Sequence, residues 1–181
     1  MMSRNIYIDP GYSVRSGGCA VSVFEGFPLA HVFFMARGRA AQRPPCLADV
    51  QRVVWELPQM DDRSRSTPPN VLIQLTAEGA TLAGTIAGWT GNIVARTPSQ
   101  WKGSSHKPSM HLRAWDVLTE PERRLLGGPP TLNRIEAAVE KGAADRWARP
   151  GGSYYPITWN MHNLLDAVCM GLIDLGRMQG R

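Results

Sequence analysis

The first part of the chain alternates short apolar segments with turn residues, a pattern typical of β-strands. Apolar and β-branched residues predict strands at 4–9, 19–24 and 29–35. The last two strands flank the turn-forming segment 25–28, which contains glycine and proline. The pattern therefore predicts three antiparallel strands at the start of the chain.

Downstream of these strands, β-like and helix-like segments alternate. A pair of prolines at 44–45 predicts a short helix at 46–51, and a polar segment with two prolines predicts a loop at 59–70. The remaining expectations are strands at 52–56 and 91–95, helices at 71–88, 106–118, 131–147 and 160–177, and a short helix that begins at 119. This order favours a single α/β domain over 1–181, with a mixed five-stranded sheet flanked by helices.

Composition narrows the class of protein. The chain has 181 residues, 43% of them apolar and 19% charged, which is typical of a folded domain and not of a disordered chain. No apolar run has the length of a membrane span, and Asp9, Pro10 and Gly11 interrupt the apolar N-terminal segment, so we expect neither a membrane protein nor a signal peptide. Three widely separated cysteines favour a reducing compartment, and we expect a cytoplasmic protein.

The charge balance gives a weak indication of a partner. Lysine and arginine exceed aspartate and glutamate by 20 to 15, so the formal net charge is +5. A basic chain favours polyanions such as nucleic acids, although an excess of this size is modest.

Three carboxylates are the candidate functional groups. Asp9 ends the first strand and Glu56 ends the fourth, although a turn aspartate and a surface glutamate at a strand edge are the ordinary alternatives. Asp166 lies in a helix that is apolar nearly all the way round, where an unpartnered carboxylate costs several kcal/mol. His162 and Asn163 precede Asp166 by about one helical turn and share its face.

Carboxylates at the ends of two strands and on a late helix indicate a site for a hard cation. Mg²⁺ prefers oxygen ligands and is usually bound by a few carboxylates together with substrate phosphates. Two such ions assist the hydrolysis of phosphodiesters. The sequence therefore favours phosphodiester chemistry with two Mg²⁺ or Mn²⁺ ions, and the basic charge fits a nucleic-acid substrate.

Several segments, in order along the chain, resemble those of a known family. The chain resembles the RuvC-type Holliday junction resolvases of the ribonuclease H-like superfamily. Its motifs look most like those of the small phage and prophage members. The segments that carry the resemblance are IYIDPG at 6–11, GCAV at 18–21, VVWE at 53–56, QLTAEGA at 74–80, TPSQWKG at 97–103 and DAVCMGL at 166–172.

The resemblance implies roles for individual residues. It implies that Asp9, Glu56 and Asp166 are catalytic metal ligands and that Lys102 lies near the scissile phosphate. The family usually has an aspartate or histidine as a fourth ligand three residues before the last carboxylate, and this chain has Asn163 there. We expect either His162 or Asn163 to assist at this position.

Basic residues outside the carboxylate group are candidates for DNA contacts. They are Arg63 and Arg65 in the predicted polar loop, and Lys102, Lys107 and Arg113 after the fifth strand. Such cations would position phosphates without reading bases, while a solvated charged face is the alternative for each of them. The six tryptophans are interpreted as core residues.

The resemblance implies a metal-dependent endonuclease that resolves four-way DNA junctions as a homodimer, in the cytoplasm of a bacterial or phage-infected cell. Cleavage would leave 5′-phosphate and 3′-hydroxyl ends. The alternatives are a nuclease that acts on other branched or replicating DNA, and a non-catalytic module that binds branched DNA. An actin-like ATPase or kinase remnant is a third alternative, but a second phosphate-binding, glycine-rich loop is missing from the sequence.

Overall fold

A computed structural model describes residues 3–10, 18–36, 49–56, 84, 88, 92–105, 107–126 and 157–180 of the chain. Strands and helices make up most of these residues. They are β1 (Arg4–Pro10), β2 (Gly18–Glu25), β3 (Leu29–Ala36), β4 (Val50–Glu56), β5 (Ile93–Arg96), α1 (Pro98–Lys102), α2 (Lys107–Val117), α3 (Glu120–Leu125) and α4 (Ile157–Asp174).

The five strands form one mixed sheet with the order β3-β2-β1-β4-β5. β1 pairs with β2 and β2 with β3 in antiparallel orientation, while β1 pairs with β4 and β4 with β5 in parallel orientation. The predicted five-stranded sheet and its three antiparallel strands are confirmed, and the fold is α/β. The predicted turn is confirmed as well, since Glu25 N–H donates to the Pro28 carbonyl at 3.0 Å and Gly26 has a φ of 67°.

Both faces of the central strands are buried. Alternate side chains of a strand point to opposite faces, and Tyr7 joins a core cluster that contains the buried apolar side chains of α4 between Leu164 and Leu172. On the opposite face, Ile6, Ile8, Val53 and Trp55 are at most 3% exposed. Two buried faces explain why these strands are apolar at nearly every position and show little alternation.

Helix α4 packs unusually close to the sheet because a glycine faces β2. A Cβ atom built on Gly171 would lie 2.2 Å from Cε2 of Phe24. Phe24 in turn meets Tyr7 edge-to-face, with ring centroids 5.5 Å apart. The Ser22 hydroxyl donates to the Ala167 carbonyl at 2.9 Å, which ties the helix to β2 within the core. These contacts fix the height of α4 above the sheet.

A partly buried ion pair joins the C-terminal tail to α3. Arg177 donates to the Glu122 carboxylate at 2.6 and 2.9 Å, and Leu29 N–H donates to the same carboxylate at 2.7 Å. Glu122 also caps α3 by accepting from Thr119 N–H at 2.7 Å, as the predicted helix start requires. Burial opposes ionisation of Glu122, but these hydrogen bonds outweigh it and lower its pKa from 4.5 to about 2.

Two predicted helices differ from the structure, and one observed helix was not predicted. The predicted helix at 46–51 is wrong at its last three residues, because Asp49 adopts a φ of 55° and Val50 begins β4. The last helix runs over 157–174 instead of 160–177, since Gly176 adopts a φ of 70° and Arg177 N–H closes the helix end onto the Leu172 carbonyl. Helix α1 was not expected.

Other sequence expectations fall largely outside the described residues. The predicted loop at 59–70 and the helix at 131–147 lie there entirely, and the helix at 71–88 does except for Gly84 and Gly88. Gly84 is helical, and Gly88 N–H donates to its carbonyl at 3.1 Å. Among the described helices, none combines the length and apolar character needed to cross a membrane.

Candidate metal centre

Parallel pairing of β1 and β4 brings two of the predicted carboxylates to one edge of the sheet. Tyr7 pairs with Val54 and Ile8 with Trp55, so the next step along both strands sets Asp9 beside Glu56. Parallel strands end at the same edge, and both side chains project to the face that carries α4. Because each carboxylate stands at the end of its strand in the sequence, parallel pairing places the two side chains next to each other.

The third carboxylate comes from α4. The helix presents Asp166 between the buried residues Leu165 and Ala167, and its side chain reaches the same edge of the sheet. Ligand oxygens of Asp9, Glu56 and Asp166 all lie within 4.8 Å of one another. Asp9 and Glu56 are each 7% exposed and Asp166 is 2% exposed. The structure thus brings together the three carboxylates that the sequence singled out.

This donor set fits a divalent cation. Three carboxylates so close together repel one another when ionised, and burial strengthens the repulsion because little water screens it. A divalent cation relieves the repulsion, and carboxylate oxygens are the ligands that Mg²⁺ and Mn²⁺ prefer. The residues present therefore fit the predicted ion.

Glu56 is held by the indole of Trp101. The Nε1–H group of Trp101 donates to Oε1 of Glu56 at 3.1 Å, and the tryptophan is itself 7% exposed. Trp101 lies on α1, which begins at Thr97 with a capping box in which Thr97 N–H donates to the Gln100 side chain at 2.8 Å. The short helix directly after β5 thus serves to place this indole against Glu56.

Asp166 is held by the imidazole of His111. The two side chains meet at 2.7 Å between Nε2 and Oδ1, and His111, on α2, is completely buried. If Asp166 is ionised, its oxygens can only accept hydrogen bonds, and Nε2 of His111 is then the donor. A charged acceptor makes such a bond short and strong.

Among the described residues, the other predicted site residues do not belong to the group of three carboxylates. Asn163 is half-buried on α4, three residues before Asp166, and Lys102 is half-buried with Nζ 5.8 Å from the centroid of the Trp101 ring. Arg113 donates to the Gln179 carbonyl at 2.8 Å. His162 lies in α4 and Lys107 in α2, but their side chains fall outside the described part of the structure, as do Arg63 and Arg65 entirely.

Three residues near the carboxylates were not predicted. Trp101 was interpreted only as a core residue, and His111 was not singled out, although it shares the buried face of α2 with Ala114, three residues later. A titratable residue next to buried Met110 and Ala114 of the helix was the available signal for His111. Arg96 ends β5 directly beside Glu56 in the parallel register, which adds a cation to this edge.

Comparison of the chain with protein-family models, with curated proteins and with solved structures finds no match. The geometry of the buried carboxylates and the chemistry of their neighbours are therefore the basis for assigning a function.

Proposed function

We propose that this protein is a metal-dependent, structure-specific DNA endonuclease with a ribonuclease H-like fold, and that it resolves four-way DNA junctions. The strand order β3-β2-β1-β4-β5, antiparallel through β1 and parallel beyond it, supports this fold. The late helix α4, packed across β1 and β2, supports it as well. The motif resemblance described above supports the junction-resolving activity.

The observation that carries the proposal is the convergence of Asp9, Glu56 and Asp166 within 4.8 Å in a buried setting. A folded protein rarely buries three neighbouring carboxylates without compensation, because each loses the hydration of its charge. These residues come from two adjacent parallel strands and a distant helix, so their meeting depends on the whole fold. A divalent-cation site explains this arrangement.

In this proposal, Asp9, Glu56 and Asp166 hold Mg²⁺ or Mn²⁺ ions at the carboxyl edge of the sheet. When bound, such ions polarise a phosphate and favour attack by water on a phosphodiester, and two ions stabilise both the attacking and the leaving oxygen. The protein's three carboxylates would fix the ions in position. Asn163 or His162 would assist from the preceding turn of α4.

Basic residues near the carboxylates suit a phosphate-bearing substrate. Lys102 directly follows the indole that binds Glu56, and Arg96 ends the strand beside Glu56. Placed close to the reacting phosphate, Lys102 would stabilise negative charge that develops there. Arg63, Arg65, Lys107 and Arg113 would contact the DNA backbone farther away, where cations add affinity without sequence preference.

Resolution of a junction requires two cuts placed symmetrically, so we propose a homodimer with one site per protomer. We expect the dimer to act in the cytoplasm of a bacterial or phage-infected cell.

The first experiment incubates the purified protein with a labelled synthetic four-way junction in Mg²⁺, Mn²⁺ or EDTA. A linear duplex and a flap of the same sequences serve as matched substrates. We expect metal-dependent, paired nicks near the crossover. The Asp9→Asn variant should cleave at least about 100-fold more slowly, because it loses a ligand of the ion, yet should bind the junction within about threefold of wild type.

Each other result contradicts a distinct part of the proposal. Wild-type cleavage by Asp9→Asn would show that the carboxylates are not the site. Equal cleavage of flaps and junctions would indicate a nuclease for other branched DNA. Junction binding without cleavage in either metal would favour a binding module, for which the neutral Asn163 at an otherwise acidic position is the supporting feature. Glu120→Gln, which removes an exposed carboxylate on α3, is the control.

A further inference from the structure

We propose that Trp101 and His111 are positioning residues, each of which orients one carboxylate of the cluster through a ring N–H group. Trp101 holds Glu56 and His111 holds Asp166. The inference rests on the proposed function, because it assigns to these two donors the task of preparing Glu56 and Asp166 to bind the ion.

The contact between His111 and Asp166 restricts the carboxylate strongly. An aspartate side chain turns about two bonds, and its carboxylate can present either oxygen in many directions. The 2.7 Å bond from Nε2 fixes Oδ1, and the packing around fully buried His111 fixes the donor. The orientation of Oδ2 follows from that of Oδ1, since the carboxylate is planar.

The contact between Trp101 and Glu56 acts in the same way on a longer side chain. Glutamate has one more rotatable bond than aspartate, so it loses more freedom when its end is fixed. The indole is a donor only, and it cannot compete with the carboxylate for a cation. Trp101 therefore orients Glu56 without removing its charge from the site.

Both donors belong to one stretch of chain after β5, and this stretch is anchored independently of the carboxylates. The Ser105 hydroxyl donates to the Gly180 carbonyl at 3.0 Å, and Arg113 donates to the Gln179 carbonyl at 2.8 Å. A Cβ on Gly180 would lie 2.5 Å from the Trp101 carbonyl oxygen, so the tail packs directly on α1. The C-terminal tail thus holds in place the segment that carries both donors.

Donors of this kind affect metal affinity measurably. Loss of a hydrogen bond to a ligating group typically weakens metal binding or activity by about 10–100-fold. Preorganisation is the physical cause, because a carboxylate that is already oriented loses less conformational freedom when the ion binds.

The test measures Mn²⁺ binding directly, by the electron paramagnetic resonance signal of free Mn²⁺, in the absence of DNA. Trp101→Phe keeps the aromatic packing and removes the N–H group, and His111→Ala removes the other donor. We expect each to weaken Mn²⁺ binding by about 10-fold or more. His111→Gln, whose amide nitrogen can replace Nε2 as the donor, should remain within about threefold of wild type. Trp115→Phe, on the same helix as His111 but stacked near Arg123, should bind like wild type.

Junction cleavage provides a second measurement. If the donors only position metal ligands, saturating Mn²⁺ should restore most of the kcat of Trp101→Phe while its KM for the junction stays at the wild-type value. Thermal unfolding of each variant shows whether it is folded, and Trp101→Phe with His111→Gln decides the question if His111→Ala does not fold.

The outcomes separate the two proposals. If wild type binds no Mn²⁺, or binds it equally after Asp9→Asn, the proposed function and the inference both fail. If wild type binds Mn²⁺ in an Asp9-dependent way, but Trp101→Phe and His111→Ala bind it equally well, only the positioning role is wrong. Equal weakening by His111→Gln and His111→Ala in folded proteins would also contradict the donor role.

Discussion

Gly171 illustrates how a single residue controls the position of the candidate metal centre. It lies on α4, five residues after Asp166, and allows the helix to rest against Phe24 of β2. Gly171→Ala would place a methyl group 2.2 Å from Cε2 of that ring, so either the ring or the helix must move. We expect a loss of about 3 kcal/mol in the free energy of unfolding, measured by urea denaturation, because overpacking a tight core costs this much.

The matched control for this substitution is Gly84→Ala. Gly84 is also helical, but a Cβ there meets no atom of the described residues within 4 Å. Alanine favours a helix more than glycine does, so this variant should be unchanged or more stable by up to about 1 kcal/mol. Phe24→Leu combined with Gly171→Ala should recover part of the lost stability. Equal effects of both alanines would mean that helix propensity, and not contact with Phe24, determines the result.

At the scale of residues, the sequence predicts the acidic site better than its surroundings. Asp9, Glu56 and Asp166 could be identified because each is a carboxylate at a strand end or on an apolar helix. Trp101 and His111 could not be assigned as their partners, because both contacts join positions far apart in the chain, 45 and 55 residues from their acceptors. Such pairings depend on the packing of helices on the sheet, which no local pattern specifies.

Between elements, the pair Glu122–Arg177 links α3, the start of β3 and the C-terminal tail, and we expect it to make stability depend on acid pH. The pKa of Glu122 is lowered from 4.5 to about 2 in the folded protein. A lowered pKa stabilises the fold above pH 4.5, and this contribution is lost as the pH falls from 4.5 towards 2. A shift of this size corresponds to about 3 kcal/mol, and solvent screening near Arg177 reduces our expectation to about 2 kcal/mol.

Urea denaturation of wild type and Glu122→Gln at several pH values tests this linkage. The wild type should be more stable by about 2 kcal/mol at pH 7, and the difference should shrink as the pH falls below 4.5. Glu120→Gln is the control, because its ion pair with Arg124 is mostly exposed and worth less than about 0.5 kcal/mol. A difference between wild type and Glu122→Gln that is constant from pH 7 to pH 3 would contradict the assigned pKa.

Elements that carry local turn or capping residues were predicted correctly, whereas an element that depends on tertiary pairing was not. The hairpin of β2 and β3 and the capped start of α3 carry local turn and capping residues, and the structure confirms both. The helix expected at 46–51 was wrong over 49–51, because prolines occur both at the start of a helix and at the edge of a strand. Val50 pairs with Arg4 of β1, and this tertiary contact favours the strand over the helix.

For the molecule as a whole, the carboxylate cluster predicts a link between divalent cations and stability. Asp9, Glu56 and Asp166 sit on three separate elements, so an ion bound between them holds β1, β4 and α4 together. An ion that binds only the folded state stabilises it by about 1.4 kcal/mol at ten times its dissociation constant. For a domain of this size that corresponds to an increase of about 3–6 °C in Tm.

Thermal unfolding in EDTA, in Mg²⁺ and in sodium chloride of equal ionic strength measures this effect. The Tm of wild type should rise in Mg²⁺ but not in sodium chloride. Asp9→Asn and Glu56→Gln should not show this rise, because each removes a ligand of the ion. In EDTA, Asp9→Asn should be at least as stable as wild type, since it removes one of three mutually repelling buried charges. Glu120→Gln removes an exposed carboxylate that is not part of the cluster, so it should keep the full rise in Tm. A gain that survives both ligand substitutions would place the ion elsewhere on the protein and remove the physical basis for a metal-dependent nuclease.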